Sequence, residues 1–251
     1  MDKNLRDSGI DIVGKVYWGT HIGQLYSSKK DYFEVGIPYI HTGLMNNELC
    51  IWVYSQNTSY EEVVSYLRES IESLDTYLKS GQLLIVPYTD WYLKDNIFNE
   101  LRINEQWNEF VRRAQNQGYD GLRTIADTSW LEKGYYRDFA NYEKDINDVI
   151  SELPFIAICL YASDKLDILE IAEVINNHSY IITRHENKLE VIRNVELSVK
   201  NKLLGESEEK YRRLIQLLPD SIFIHDDRNI FYYNRVSMQL IRRFKGFIKS
   251  L

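Results

Sequence analysis

The stretch Trp18-Gly19-Thr20-His21-Ile22-Gly23-Gln24-Leu25-Tyr26, followed by Ser27-Ser28-Lys29-Lys30-Asp31, reads as a buried strand, a short loop and the start of a helix. Open α/β sheets bind ligands at the carboxyl ends of their strands. His21, Gln24 and Tyr26 are therefore candidate ligand contacts. Ser28 is placed to cap the helix, with Asp31 at the capping-box position as a stand-in for Glu. Phe33, Ile37, Ile40 and Leu44 recur at helical spacing. Pro38 is expected to kink this helix, and Asn46-Asn47 to end it. Leu49 to Tyr54 is a continuous apolar run, as in a strand covered on both faces.

The alternation repeats along the chain. Glu61 to Leu78 is helical with a break near Ser73, and Gly81 stops it. Leu83 to Val86 is a strand, followed by an aromatic loop from Asp90 to Asp95. Residues 99–116 form a helix with Leu101, Trp107, Phe110, Val111 and Ala114 inward. Leu122 to Ala126 is a strand with Asp127-Thr128-Ser129-Trp130 at its carboxyl end. A helix over 136–150, a strand from Phe155 to Tyr161 and a helix from Ile168 to Ile175 follow. Tyr180–Thr183 and Leu189–Ile192 read as a closing hairpin that could supply an antiparallel edge. Apolar strands alternating with amphipathic helices predict an α/β, three-layer, mostly parallel sheet with helices on both faces.

The first 16 residues are a lead-in. Within it Gly9 to Val16 imitates a phosphate loop. Val16 stands where a magnesium-binding hydroxyl belongs, and Tyr17-Trp18-Gly19 opens no helix. Beyond residue 193 the composition turns polar. Residues 194–218 read as a connector helix, and 219–251 hold a two-stranded hairpin, too little for a second domain of ordinary size.

Of the 251 residues, 44% are hydrophobic, and 37 acids against 30 bases give a net charge of −7, which disfavours nucleic acid as a partner. Cys50 and Cys159 each lie in an apolar run, as buried thiols of a reducing, cytoplasmic compartment would. No signal peptide or membrane span is expected. His41, His178 and His185 show no ligand spacing, so no metal and no cofactor is expected. Asp127, directly after an apolar strand, is a candidate pocket residue, and Thr128 and Trp130 travel with it. Trp91 and Tyr92 could form an aromatic wall or lid. Arg123, inside a strand, is placed to pair with a buried carboxylate.

Gly19-Thr20-His21-Ile22, Asn47 to Val53, Trp91 to Lys94, Gly118 to Arg123, Asp127 to Glu132 and Arg137-Asp138-Phe139 occur in that order. Over residues 17–193 they resemble the MEDS family, sensory domains of prokaryotic signalling proteins. One departure is Gly23, where cysteine is common in the family. The resemblance implies a relative of RecA-type and KaiC-type ATPases. Tyr26 to Asp31 lacks the glycines of their phosphate loop, so no hydrolysis is expected and the chain is not read as an enzyme. Ser207 to Leu214, Leu218 to Phe223 and Tyr233-Asn234-Arg235 resemble the opening of a PAS domain, truncated here. MEDS followed by PAS resembles the input half of a sensor histidine kinase of a two-component system. The implied function is a non-catalytic input module. It would bind a small molecule, such as a simple hydrocarbon or C1 derivative, and signal to a downstream domain or kinase. A homodimer through the connector helix is a further expectation. The alternatives are a degenerate RecA-like nucleotide-binding protein and a self-association scaffold with a vestigial pocket. The ligand reading expects His21 and Asp127 to converge on one cavity.

Overall fold

A computed structural model describes residues 4–197, 200–203, 223–225, 230–233 and 236–238. The chain divides into a first unit over residues 3–202 and a second over 203–251. The first unit opens with a small antiparallel hairpin, β1 (Leu5–Asp7) and β2 (Lys15–Tyr17). Then come β3 (His21–Tyr26), α1 (Lys29–Met45), β4 (Leu49–Tyr54), α2 (Tyr60–Ser70), α3 (Leu74–Ser80) and β5 (Leu83–Pro87). A single helical turn, α4 (Tyr88–Trp91), leads to α5 (Glu100–Asn116), β6 (Leu122–Asp127), α6 (Lys133–Ser151) and β7 (Phe155–Ala162). The set closes with α7 (Ile168–Asn177), β8 (Tyr180–His185) and β9 (Lys188–Arg193).

Seven strands form one sheet in the order β5-β4-β6-β7-β3-β8-β9. All pairs are parallel except β8–β9, the antiparallel edge. The helices form a layer on each face. One core joins the sheet to α1, α2 and α3 through Tyr39, Ile40, Val63 and Leu67. The other joins it to α4–α7 through Trp91, Trp107, Phe139 and Ile146. Because successive side chains of a strand point to opposite faces, β3 sends Ile22, Gln24 and Tyr26 to the α1 side. It sends His21, Gly23 and Leu25 to the α6 side.

The α1 capping box forms as the sequence predicts: the Ser28 hydroxyl accepts from Asp31 N, and the Asp31 carboxylate accepts from Ser28 N. The helix runs through Pro38 to Met45 as one element. The expected break falls between α2 and α3. Two details differ from expectation. Leu101 is 75% exposed, and Ile103 takes the inward place on α5. The aromatic loop after β5 winds into α4 and buries Trp91 and Tyr92.

The lead-in is anchored by one buried cation. Arg123 on β6 donates to Glu48 and to the carbonyls of Asp7, Ser8 and Tyr39, with its guanidinium over the Tyr39 ring. Gly43 makes room for it: a Cβ there would lie 2.5 Å from Arg123 Cδ. Arg6 of β1 shares the same Glu48 carboxylate. The phosphate-loop look-alike at 9–16 is thus part of a structural hairpin.

In the second unit, β10 (Phe223–His225) and β11 (Ile230–Tyr233) pair antiparallel where the sequence places a hairpin. Most of the expected connector and PAS-like segment, residues 204–222 included, lies outside the described residues. No described helix is long and apolar enough to cross a membrane.

Removing Arg123 would leave the Glu48 carboxylate buried with only Arg6. Arg123→Met should cost about 3–5 kcal/mol in denaturant unfolding and speed amide exchange over residues 4–18. Unchanged exchange there would contradict the anchoring role.

Candidate functional site

Strand alternation separates the eight candidate residues. Tyr26 and Asp127 meet on the α1 side: the Tyr26 hydroxyl donates to Asp127 Oδ1 at 3.2 Å and accepts from Asn57 Nδ2 at 3.3 Å. Ser129 N also donates to Asp127 Oδ1, at 2.8 Å, while Oδ2 has no partner. His21 is on the α6 side. The expectation of one cavity shared by His21 and Asp127 is therefore corrected, because their strands present them to opposite faces. Gln24 donates to the Asp31 carbonyl at 2.7 Å, locking the first turn of α1. Thr128 donates its hydroxyl to the Leu160 carbonyl at 2.8 Å. Both serve the backbone.

The start of α1 is where a RecA-type enzyme would cradle phosphate. Here the Asp31 carboxylate fills it, accepting from Ser27 N and Ser28 N. Burial alone would raise the Asp31 carboxyl, but the Arg184 ion pair and the serine hydrogen bonds hold it below its ordinary value. Lys29 is paired with Glu62 at 2.6 Å. The helix N-terminus thus carries its own anion.

The α6 side holds a denser constellation. His21, Glu143 of α6, Cys159 of β7 and His178 between α7 and β8 are all buried, with one donor atom of each within 4.8 Å of the others. His21 Nε2 lies 3.3 Å from Cys159 Sγ and 3.4 Å from Glu143 Oε2. His178 Nε2 lies 3.2 Å from the same Oε2. The opposite ring nitrogens are committed. His178 Nδ1 donates to the Val174 carbonyl at 2.7 Å. Asn147 spends its amide hydrogens on the Glu143 and Asn177 carbonyls, so its Oδ1 accepts from His21 Nδ1 at 3.3 Å. Burial first, and then His178, push the His21 imidazolium down to about 3, so the ring is neutral at pH 7.

Gly23 belongs to this arrangement. A Cβ there would strike Ile181 Cδ1 at 2.6 Å and the His178 ring at 3.1 Å. The missing side chain at Gly23 makes room for the His178 ring beside β3. Cys159 lies directly beside Gly23 in the strand register.

Next to the quartet is a small cavity of about 10 Å³, lined by His21, Glu143 and Cys159 on one side and Tyr92, Trp107 and Tyr142 on the other. That is room for one water-sized group. A second void of similar size lies across Glu143, between α6 and α7, beside Tyr161 and Glu173. Tyr92 stacks on Trp130 at 5.3 Å, and Trp91 packs on Trp107 at 4.4 Å. Of the predicted residues, His21 and Tyr92 line the chamber, and Trp91 and Trp130 back it. Glu143, Cys159 and His178 were not singled out as contacts. Glu143 had a signal: it interrupts the apolar stripe Phe139, Ile146, Ile150 at the helical position that faces the core.

The doubly wound sheet with its closed phosphate position defines a RecA-like α/β protein. Among solved structures the chain is similar to the flagellar accessory protein FlaH from Methanocaldococcus jannaschii, at 15% identity and a TM-score of 0.51, over 78% of this chain and 89% of that one. It is similar too to the KaiC-like protein PH0186 from Pyrococcus horikoshii OT3, at 17% identity and a TM-score of 0.51, over 76% of this chain and 87% of that one. At such identities the likeness speaks for the fold alone. No curated protein matches the chain. Residues 20–179 match MEDS, the methanogen/methylotroph, DcmR sensory domain, and the chain belongs to that family.

The α1 side yields a pH prediction. Burial raises the Asp127 carboxyl to about 6, against the lowering effects of Ser129, Tyr26 and Lys165. The folded state then holds this proton more tightly than the unfolded chain. Its contribution is complete below pH ~4 and is lost as pH rises through 6, a fall of about 3 kcal/mol. Asp127→Asn keeps the Oδ1 acceptor and removes the charge. It should unfold with a flatter profile between pH 4 and 6 and be the more stable protein at pH 7.5. A variant less stable than wild type at pH 7.5 but equal at pH 4 would reverse the sign.

Proposed function

We propose that this chain is a non-catalytic signal-input module whose small ligand enters the chamber beside His21. Membership of a sensory-domain family supports the input role. The observation that carries the ligand reading is the small cavity set between polar His21, Glu143 and Cys159 and aromatic Tyr92, Trp107 and Tyr142. At about 10 Å³ it holds one water-sized group, so a C1 or simple hydrocarbon derivative would enter by displacing the chamber walls. This reading takes the place of a site at the strand ends, where the Tyr26 hydroxyl already occupies Asp127 Oδ1. The filled α1 N-terminus argues against the nucleotide alternative, and a cavity beside His21 argues against a vestigial scaffold.

An output path adjoins the chamber. Residues 195–197 and 200–203 are helical. Asn201 donates to the Gly19 carbonyl at 3.2 Å and to Ser179 Oγ at 3.3 Å, and Asn194 N donates to the Ser179 carbonyl. Gly19 is two residues before His21, and Ser179 directly follows His178. A ligand that shifts either imidazole therefore acts on the anchor of this helix. In this reading residues 194–218 form the connector and carry the change to a PAS-like segment at 219–251 and a downstream kinase of a cytoplasmic two-component system, with a homodimer forming through the connector.

A thermal-shift screen of methanol, methylamine, methanethiol and dichloromethane at millimolar concentration should raise the melting temperature for at least one compound. ATP should give no shift. Ile146→Ala, which enlarges the chamber wall, should move the preference towards a longer homologue. A folded protein that responds to none of these compounds, or an ATP shift abolished by Asp127→Asn, would overturn the reading. In the ligand-responsive protein, Asn201→Ala should keep the shift but lose the ligand-dependent change in amide exchange over 194–203.

A further inference from the structure

The quartet that borders the chamber has an imbalance of hydrogens. Both imidazoles donate their Nδ1–H to carbonyl oxygens, His178 to Val174 and His21 to Asn147. Both Nε2 atoms face Glu143 Oε2, 3.4 Å and 3.2 Å away, and the neutral His21 ring presents a lone pair to it. Facing lone pairs on an imidazole and a carboxylate repel one another. The X–H groups at hand are the Cys159 thiol, 3.5 Å from Glu143 Oε1, and the Tyr161 hydroxyl. Neither reaches His178 Nε2 or Glu143 Oε2 in hydrogen-bond geometry, and both atoms are buried without a partner among the protein's own groups. A buried polar atom left in this way is costly.

A cation at the centre would remove the conflict. We infer that His21 Nε2, His178 Nε2, Glu143 Oε2 and Cys159 Sγ form a tetrahedral site for a divalent transition metal, with zinc the best match. Three arguments converge on it. The first is size: the edges of a tetrahedron with metal–ligand bonds of about 2.0–2.3 Å are roughly 3.3–3.7 Å. Three of the six donor pairs, at 3.2, 3.3 and 3.4 Å, already have nearly that spacing. The second is chemistry. Two imidazoles and a thiolate select zinc and its neighbours over magnesium or calcium. With Glu143 ionised and the thiol proton released to solvent, two negative ligands neutralise the dication, so no net charge is buried. The third is support. Each imidazole has its outer N–H fixed by a carbonyl, the arrangement that orients metal-bound histidines.

The donors come from β3, α6, β7 and the α7–β8 junction, so the ion would tie four elements together. That the adjacent cavity gives the small ligand access to the ion rests on the reading proposed above; the metal site itself does not.

The test uses the full chain, purified reduced and without chelator. Elemental analysis should find about one zinc per chain, or one taken up from micromolar free Zn²⁺. Titration with Co²⁺ should give the thiolate-to-cobalt charge-transfer band and the intense visible bands of a tetrahedral site. Cys159→Ser should abolish the charge-transfer band, and His178→Ala should weaken binding by at least about tenfold. Asn147→Asp, which keeps the acceptor for His21, should still bind. Should a ligand variant fail to fold, the wild-type stoichiometry and cobalt spectrum decide alone. Folded, reduced wild-type protein that takes up less than about a tenth of an equivalent would overturn the site. So would a cobalt spectrum with no charge-transfer band. Metal uptake with no small-molecule shift would leave this site standing and sink the ligand reading. A small-molecule shift in protein that takes up no metal would do the reverse.

Discussion

A strand in the centre of a parallel sheet has no solvent face, so every polar side chain on it must find its partner inside the protein. β3, between β7 and β8, carries His21, Gln24 and Tyr26, and meeting their needs organises both layers of helices. Gln24 holds the first turn of α1. Tyr26 holds Asp127 and Asn57. His21 requires Asn147 and Glu143 of α6, and through Glu143 it gathers His178 and Cys159. The two faces thus reach different ends. The α1 face closes over Tyr26, Asn57 and Asp127 with Asp127 Oδ2 left unpaired, while the α6 face closes over the four-residue cluster and a small void.

The same division explains how a RecA-like frame serves a sensory family. A phosphate loop needs bare backbone amides at a helix N-terminus. Here Asp31 occupies those amides, and Arg184 from β8 neutralises it. The frame keeps its sheet and moves its polar chemistry to the opposite face and nearer the amino ends of the strands. The helical residues after β9 return to that place, with Asn201 on Gly19 and Ser179. The loops at Gly19 and Ser179 thus border both the quartet and these helical residues.

Much of this was legible in the sequence. Apolar runs and helix caps located the strands and helices of the sheet, and the antiparallel edge followed from the closing hairpin. The seven-strand order is another matter, since it depends on pairings between residues more than a hundred positions apart. The site was half legible. His21 stood out as a polar residue in an apolar strand, and Tyr92 as part of an aromatic run. Alternation along β3 and β6 already assigns a face to each side chain, but whether His21 and Asp127 share one depends on the register between strands two places apart. Spacing along the chain could not reveal His178 and Cys159 as partners of His21, because their donors come from separate elements with no motif between them. Glu143 was the available clue, an acid on the buried stripe of α6. Leu101 misled for the opposite reason: it has the composition of a core residue and the angular position of a surface one.

The central claim is that the α6 face holds a built site and not a packing accident. Anomalous diffraction at the zinc absorption edge, from crystals grown with reductant and no chelator, tests it most directly. The account predicts a single strong peak bonded to the imidazole Nε2 atoms of His21 and His178, to Glu143 and to Cys159. An ordered quartet with no peak, in which His178 instead donates a proton from Nε2 to Glu143, would contradict it.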